Sequence, residues 1–189
     1  MELSDKERRI LLDAARGSIR SLFEKPPQQK LNNLSEPLKQ KSGAFVTLKI
    51  KNELRGCIGY LFPETNLYET VINAARQSAS CDPRFYPLAP EEFESIEIEI
   101  SVLSGFTQID SYDEIKIGIH GLFLEMENLR AVLLPQVAEK NNFTVPQFLT
   151  AICEKAGLPS FFWQIKKLNL NVFEADVFSE NRIKLYENL

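Results

Sequence analysis

The densest chemistry in this sequence sits in six residues, Leu54-Arg55-Gly56-Cys57-Ile58-Gly59. Read as a strand, alternation places Arg55 and Cys57 on one face and Leu54 and Ile58 on the other. A guanidinium beside a thiol favours the thiolate and lowers the cysteine pKa, which is how a nucleophilic cysteine is made. Gly56 and Gly59 are poor strand residues, so each predicts a bulge, a bend, or the close approach of another backbone or a ligand. The plainer reading has Cys57 as a small buried hydrophobe and both glycines as purely structural. Spacing alone leaves both open.

His120 is the one histidine of the chain, held in Gly118-Ile119-His120-Gly121. A single imidazole excludes a multi-histidine metal cluster. A Cys57–His120 pair would nevertheless suffice for acyl transfer or thiol chemistry if folding brings the two together. The alternative is a turn residue whose ring bonds a backbone carbonyl. The same spacing occurs in the phosphate-clamping loop of KH domains, but a net charge of -4 and a histidine in place of basic residues speak against that use. Further along, Asp82 and Arg84 in Cys81-Asp82-Pro83-Arg84-Phe85 can fix one another and line a pocket for a carboxylate or phosphate, or simply tie a loop to a sheet. Glu97 and Glu99 are paired carboxylates on one strand face, a pattern that normally marks a solvated surface. No Walker loop, GxGxxG, GxSxG or zinc-ligand spacing is present.

The elements that must position these residues follow from periodicity. Ser4 and Glu7 form a capping-box pattern ahead of Leu11, Ala15, Ile19 and Leu22, which predicts an amphipathic helix ended by Pro26-Pro27. A polar loop is expected from Gln28 to Ser42. Ala44, Val46, Leu48 and Ile50 then alternate with Thr47, Lys49 and Lys51 as a strand, and a turn at Asn52-Glu53 would pair it with the hexapeptide. A second helix starts near Asn66, with Leu67, Val71, Ala74, Ala75 and Ser78 down one face. Ser95 to Leu103 alternates as a third strand. Ile115–His120, Leu122–Met126 and Ala131–Leu134 read as three short strands, followed by helices over Gln136–Asn141 and Val145–Ala156. Leu170 to Phe178 reads as a last strand that returns to the first sheet. The order predicts an α+β fold of two unequal lobes, each an antiparallel sheet flanked by helices. Residues 1–107 and 164–189 would form the large lobe, with a small lobe over 108–163 inserted between two strands.

Composition sets the outer bounds. A chain of 189 residues can bury roughly 70% of its unfolded surface, enough to fold without disulfides or a structural metal. With 44% hydrophobic and 25% charged residues it is expected to be globular rather than disordered. The acidic balance gives no electrostatic footprint for nucleic acid. No apolar run approaches a membrane span, and the first residues lack the apolar core of a signal peptide. Three scattered cysteines, an odd count with no CxxC pair, suit a reducing cytosol, so a cytoplasmic protein without membrane association is expected.

The hexapeptide together with Gly43-Ala44-Phe45-Val46-Thr47-Leu48, Asp82 with Arg84-Phe85, and Ile100-Ser101-Val102-Leu103-Ser104 resembles the AMMECR-one domain family. The resemblance continues through Gly118-Ile119-His120-Gly121, Leu133-Leu134-Pro135-Gln136-Val137-Ala138 and the closing Glu174-Ala175 with Phe178. It implies an α+β fold of two unequal lobes, with the LRGCIG motif facing the cleft between them. No reaction is established for the family, and the resemblance leaves the cofactor unknown. The prokaryotic members belong to the AmmeMemoRadiSam system, which implies protein partners of the Memo-like and radical-SAM kinds. On this basis the binding candidates are Arg55, Gly56, Gly59, Asp82, Arg84 and Ser101. The leading function is a cleft protein that binds a peptide, a protein or a small ligand. The alternative is an enzyme with Cys57 as nucleophile, Arg55 orienting an anionic group and His120 as base. The family often carries glycines where this chain has Asn128-Leu129-Arg130-Ala131, so the turn there is expected to differ.

Overall fold

Helix α1 (Asp5–Arg20) forms where the capping box predicts it. In the computed structural model, which describes residues 2–24 and 33–181, the Ser4 amide donates to Glu7 Oε2 at 2.8 Å while Ser4 Oγ accepts from the Glu7 amide at 3.4 Å. Its apolar face buries Leu11, Leu12, Ala15 and Ile19. Pro26 and Pro27 lie outside the described residues. Gly17 faces open space inside this helix, with nothing within 4 Å of an added Cβ. Alanine there reduces the unfolded chain's freedom without a clash, so Gly17→Ala is expected to stabilise the protein by roughly 0.5–1 kcal/mol in urea denaturation. An unchanged or lowered midpoint would count against that placement. Residues 28–32 of the expected polar loop lie outside the described residues, and its described part holds a short helix, α2 (Glu36–Lys39), because Pro37 is pre-set for a first helical turn and Leu38 has a core to enter.

The first sheet has the order β2-β1-β3-β8. Strand β1 (Ala44–Ile50) runs antiparallel to both β2 (Glu53–Tyr60) and β3 (Glu97–Leu103). The hairpin turns one residue earlier than expected, on Lys51 and Asn52, with φ of 51° and 67°. Two consecutive left-handed residues give the tight turn whose twist matches the strands it joins. Ala44, Val46 and Leu48 pair with Val102, Ile100 and Ile98 and bury one face of the sheet. Helix α3 (Leu67–Ser80) adds Leu67, Val71, Ala74 and Ala75 to the same core, with Asn66 Oδ1 accepting from the Glu69 amide as its cap.

The second sheet has the order β4-β7-β5-β6. Strands β5 (Gly121–Met126) and β6 (Leu129–Leu133) form a hairpin about Glu127-Asn128, with Glu127 at φ 54°. The expected strand over Ile115–His120 is absent. A 3-10 turn covers Tyr112–Glu114 instead, and Gly118 at φ +80° folds the following residues into a second turn that extended pairing cannot pass through. A two-residue strand, β4 (Thr107–Gln108), takes the edge beside β7 (Leu170–Phe173). Helices α4 (Pro135–Lys140), α5 (Val145–Lys155) and α6 (Phe162–Ile165) follow β6, and α5 buries Phe148, Leu149, Ile152 and Cys153.

The last alternating stretch is not one strand. It divides at Glu174: β7 joins the second sheet, and β8 (Ala175–Ser179) joins the first. Glu174 is held at this division by Ser104, whose amide donates to the Glu174 carbonyl and whose Oγ accepts from the Glu174 amide, both at 2.8 Å. The chain accordingly falls into two compact units. One holds the residues up to Leu103 together with those from Asp176 onward, and the other is Ser104–Ala175. In the first, Arg8 grips Asp176 and Arg16 grips Glu180, so α1 anchors the returning strand. The architecture is α+β, with two antiparallel four-stranded sheets flanked by helices.

Candidate functional site

The hexapeptide lies on β2, and its irregularities come from packing. Leu48 pairs with Gly56 but Lys49 pairs with Leu54, so Arg55 is the extra residue of a β-bulge. This breaks the alternation that would place Arg55 and Cys57 on one face. Leu54 and Cys57 instead share the face of Lys49 and Thr47, their cross-strand partners. The freed Arg55 side chain turns to the loop after α3. Its Nε and Nη2 each meet a Glu92 carboxylate oxygen at 2.8 Å, and Nη1 donates to the Tyr86 carbonyl at 3.0 Å. Hydrogen bonding to Arg55 holds the Glu92 carboxyl below its ordinary pKa, and the same contact raises Arg55. Arg55 therefore clamps the loop to the bulge.

Gly56 exists for close approach. A Cβ there would lie 2.2 Å from the carbonyl oxygen of Ser78, near the end of α3. That proximity lets Ser78 Oγ enter the β1–β2 ladder: it accepts from the Ile58 amide and donates to the Val46 carbonyl, each at 2.8 Å. Gly59 serves a second contact, since a Cβ would meet the Phe45 ring at 2.4 Å. Both glycines have the close-approach role that the sequence allowed them.

Cys57 is half-buried. Its sulfur accepts from the Thr47 hydroxyl at 3.3 Å, and its amide donates to Asp82 Oδ2 at 2.8 Å. Asp82 lies just beyond α3, with only 2% of its side chain exposed. Arg84 folds back on it as a fork, Nε to Oδ1 at 2.9 Å and Nη2 to Oδ2 at 2.7 Å, while the Arg84 amide also donates to Oδ1 at 3.1 Å. The Arg84 hydrogen bond, aided by the two amides, outweighs burial and holds the Asp82 pKa down to about 2. Asp82 in turn raises Arg84, with a smaller contribution from the charge of Cys57. Arg84 Nη2 also reaches the Cys57 carbonyl at 3.4 Å. Beneath the arginines, the Phe85 ring lies 5.9 Å from the Arg55 guanidinium carbon and 5.6 Å from that of Arg84. Arg84, across the loop, thus brings a guanidinium to Cys57, touching its carbonyl and feeling its charge.

The structure brings Arg55, Gly56, Cys57, Asp82 and Arg84 together within one unit. Ser101 is buried in β3 opposite Phe45, which faces Gly59 from the other side, so it lies one row along the same sheet face. Glu99 lies opposite Thr47 in the Cys57 row and is paired with Lys49 at 2.6 Å, each about one-sixth exposed, so it is not the freely solvated carboxylate that alternation implies. His120 belongs to the other unit. Its Nδ1 accepts from the Lys116 amide at 3.3 Å, and its own amide donates to the Lys116 carbonyl at 2.8 Å. Sequence reasoning missed Thr47, Ser78 and Glu92 as parts of this site. Ser78 carried a signal, since a hydroxyl in an apolar helix stripe needs a buried partner. Thr47 and Glu92 carried none. Among the described residues no group of three metal-ligating side chains occurs, and no helix is long and apolar enough to cross a membrane.

The chain is thus α+β with two antiparallel sheets, and its bulged thiol strand is tied to an Asp–Arg fork. The family follows from comparison: the AMMECR1 family model matches residues 12–178, and the chain belongs to that family. A protein from Methanothermobacter thermautotrophicus is 37% identical over 186 residues, covering 95% of this chain and 97% of its own length. One from Aquifex aeolicus is 34% identical, with 91% and 92% covered. The crystal structure of the uncharacterized protein PH0010 from Pyrococcus horikoshii superposes with a TM-score of 0.87 at 33% identity, covering 95% of this chain and 94% of that one.

Proposed function

We propose that this AMMECR1-family chain is a binding protein acting through the surface around Cys57 and Arg84, where it grips a peptide, a protein or a small ligand without turning it over. Memo-like and radical-SAM proteins are the partners that the family resemblance implies. The observation that supports the reading is Arg84 itself: its side chain is 54% exposed, yet it is fixed by a carboxylate that is 2% exposed. A guanidinium held rigid before any ligand arrives costs little ordering entropy on binding, which is how recognition sites are built. A reducing cytosol, where Cys57, Cys81 and Cys153 stay as unbridged thiols, is the setting that suits it.

The test is capture of purified Memo-like and radical-SAM proteins from the same genome by the immobilised chain, with Cys57→Ser and Arg84→Gln variants alongside. Binding is expected to survive Cys57→Ser within about threefold and to weaken about tenfold or more in Arg84→Gln, the scale of one charge-assisted hydrogen bond. Capture unaffected by Arg84→Gln would overturn the reading. So would a turnover that stops in Cys57→Ser while binding persists, a result that favours a Cys57 nucleophile served by Arg55 and His120.

A further inference from the structure

We propose that the outer edge of Arg84, beside Cys57, is a site for a singly charged carboxylate. The inference rests on the binding function proposed above and names its ligand class. Arg84 spends its Nε and Nη2 edge on Asp82, and Nη2 also on the Cys57 carbonyl. Among the described residues Nη1 has no hydrogen-bond partner, and the side chain is 54% exposed. Two N–H donors on one planar cation are therefore presented beside the thiol strand. Phe85 supports the guanidinium from below, and the buried Asp82 prevents it from swinging away.

Charge selects among anions. Arg55 is closed by Glu92, Lys49 by Glu99 and Arg84 by Asp82, so each cation near Cys57 already has a carboxylate. Among the described residues the surroundings are close to neutral, and the directed Nη1 donors are what Arg84 has left. A carboxylate, with one charge, fits such a donor set by accepting one N–H of Nη1 through a single oxygen. A phosphate dianion would bring a second charge with nothing to meet it. A ligand seated there lies near Cys57, whose carbonyl Arg84 touches and whose charge acts on the same guanidinium.

Iodoacetate and iodoacetamide differ in the carboxylate and share the alkylating carbon, so they read this site directly. Each is reacted with the full chain, and alkylation of Cys57 and Cys81 is followed separately by peptide mass spectrometry, with the exposed Cys81 as internal reference. The iodoacetate-to-iodoacetamide rate ratio at Cys57 is expected to exceed that at Cys81 about tenfold, to fall to parity in Arg84→Gln, and to be competed by acetate but not acetamide. Equal ratios at both cysteines, a preference that persists in Arg84→Gln, or stronger competition by phosphate than by acetate each overturn the proposal. Arg84→Gln removes a partner from buried Asp82 and is liable to unfold, so a second measurement uses wild type only. In protein with ¹⁵N-labelled arginine, the Arg84 side-chain resonance is expected to shift and saturate with acetate and to ignore acetamide and chloride. A silent resonance overturns the site even if Cys57 proves unreactive. Loss of the acetate response with partner capture still dependent on Arg84 removes the ligand class and leaves the binding function standing.

Discussion

Asp82→Asn is expected to destabilise the protein by roughly 3 kcal/mol and to remove the Asp82 part of its acid sensitivity above pH 2. Asp82 accepts four hydrogen bonds, two at each oxygen, from the amides of Cys57 and Arg84 and from Nε and Nη2 of Arg84. Asparagine converts one oxygen into an amino group. Whichever way it turns, two donors then face two donors in a position that is 2% exposed. The cost of leaving such groups unmatched is about 1–3 kcal/mol each, reduced here because the Arg84 end reaches solvent. Urea denaturation of both proteins at pH 7 measures the difference, and a change below about 0.5 kcal/mol would show that the fork is ornamental.

The pH dependence has a definite sign. The folded pKa of Asp82 is about 2, below the ordinary value of 3.8, so its stabilisation is complete above about pH 4 and is lost as pH falls toward 2. The loss is on the order of 2 kcal/mol for a shift of this size. Glu92, lowered by Arg55, acts in the same direction. Wild-type stability is expected to fall on acidification through this window, and the Asp82→Asn protein to lack the Asp82 part of the fall. Parallel curves would place the acid-labile carboxylates elsewhere.

Gly56→Ala carries an expected cost of about 3 kcal/mol or more, above the usual range for one added methyl group. The new Cβ would sit 2.2 Å from a backbone oxygen at the end of α3, and backbone cannot rotate away as a side chain can. Relief requires α3 to lift from β2. That withdraws Ser78 Oγ from between Ile58 and Val46 and pulls Asp82 from the Cys57 amide, so packing and hydrogen bonds fail together. Gly105→Ala, with nothing within 4 Å, is the control and is expected to stay within about 0.5 kcal/mol of wild type. Thermal and urea midpoints decide it. Equal stability of the two variants would mean that α3 does not bear on the hexapeptide at Gly56.

The sequence by itself determined what local rules govern. The Ser4–Glu7 box, the apolar stripes of α1 and α3, and the alternation of Ala44–Ile50 and Glu97–Leu103 each follow from spacing, because a helix or strand repeats its burial at a fixed period. Those elements sufficed for the α+β class. They also nominated Cys57, Asp82 and Arg84, since glycines in a strand and a carboxylate two residues from a guanidinium are chemical signals wherever they fall. Alternation failed at Arg55. A single unpaired residue exchanges the two faces of a strand, and that bulge is settled by Glu92 and the Tyr86 carbonyl, more than thirty residues away. The division of Leu170–Phe178 was equally beyond reach. Its alternation continues on both sides of Glu174, and only the Ser104 hydrogen bonds decide where the chain leaves one sheet for the other. Ile115–His120 has the apolar content of a strand, but Gly118 at positive φ and the Lys116–His120 bonds make it a turn. Periodicity records how a segment buries itself; that Arg84 reaches the Cys57 carbonyl depends on contacts between segments, which no single stretch of residues carries.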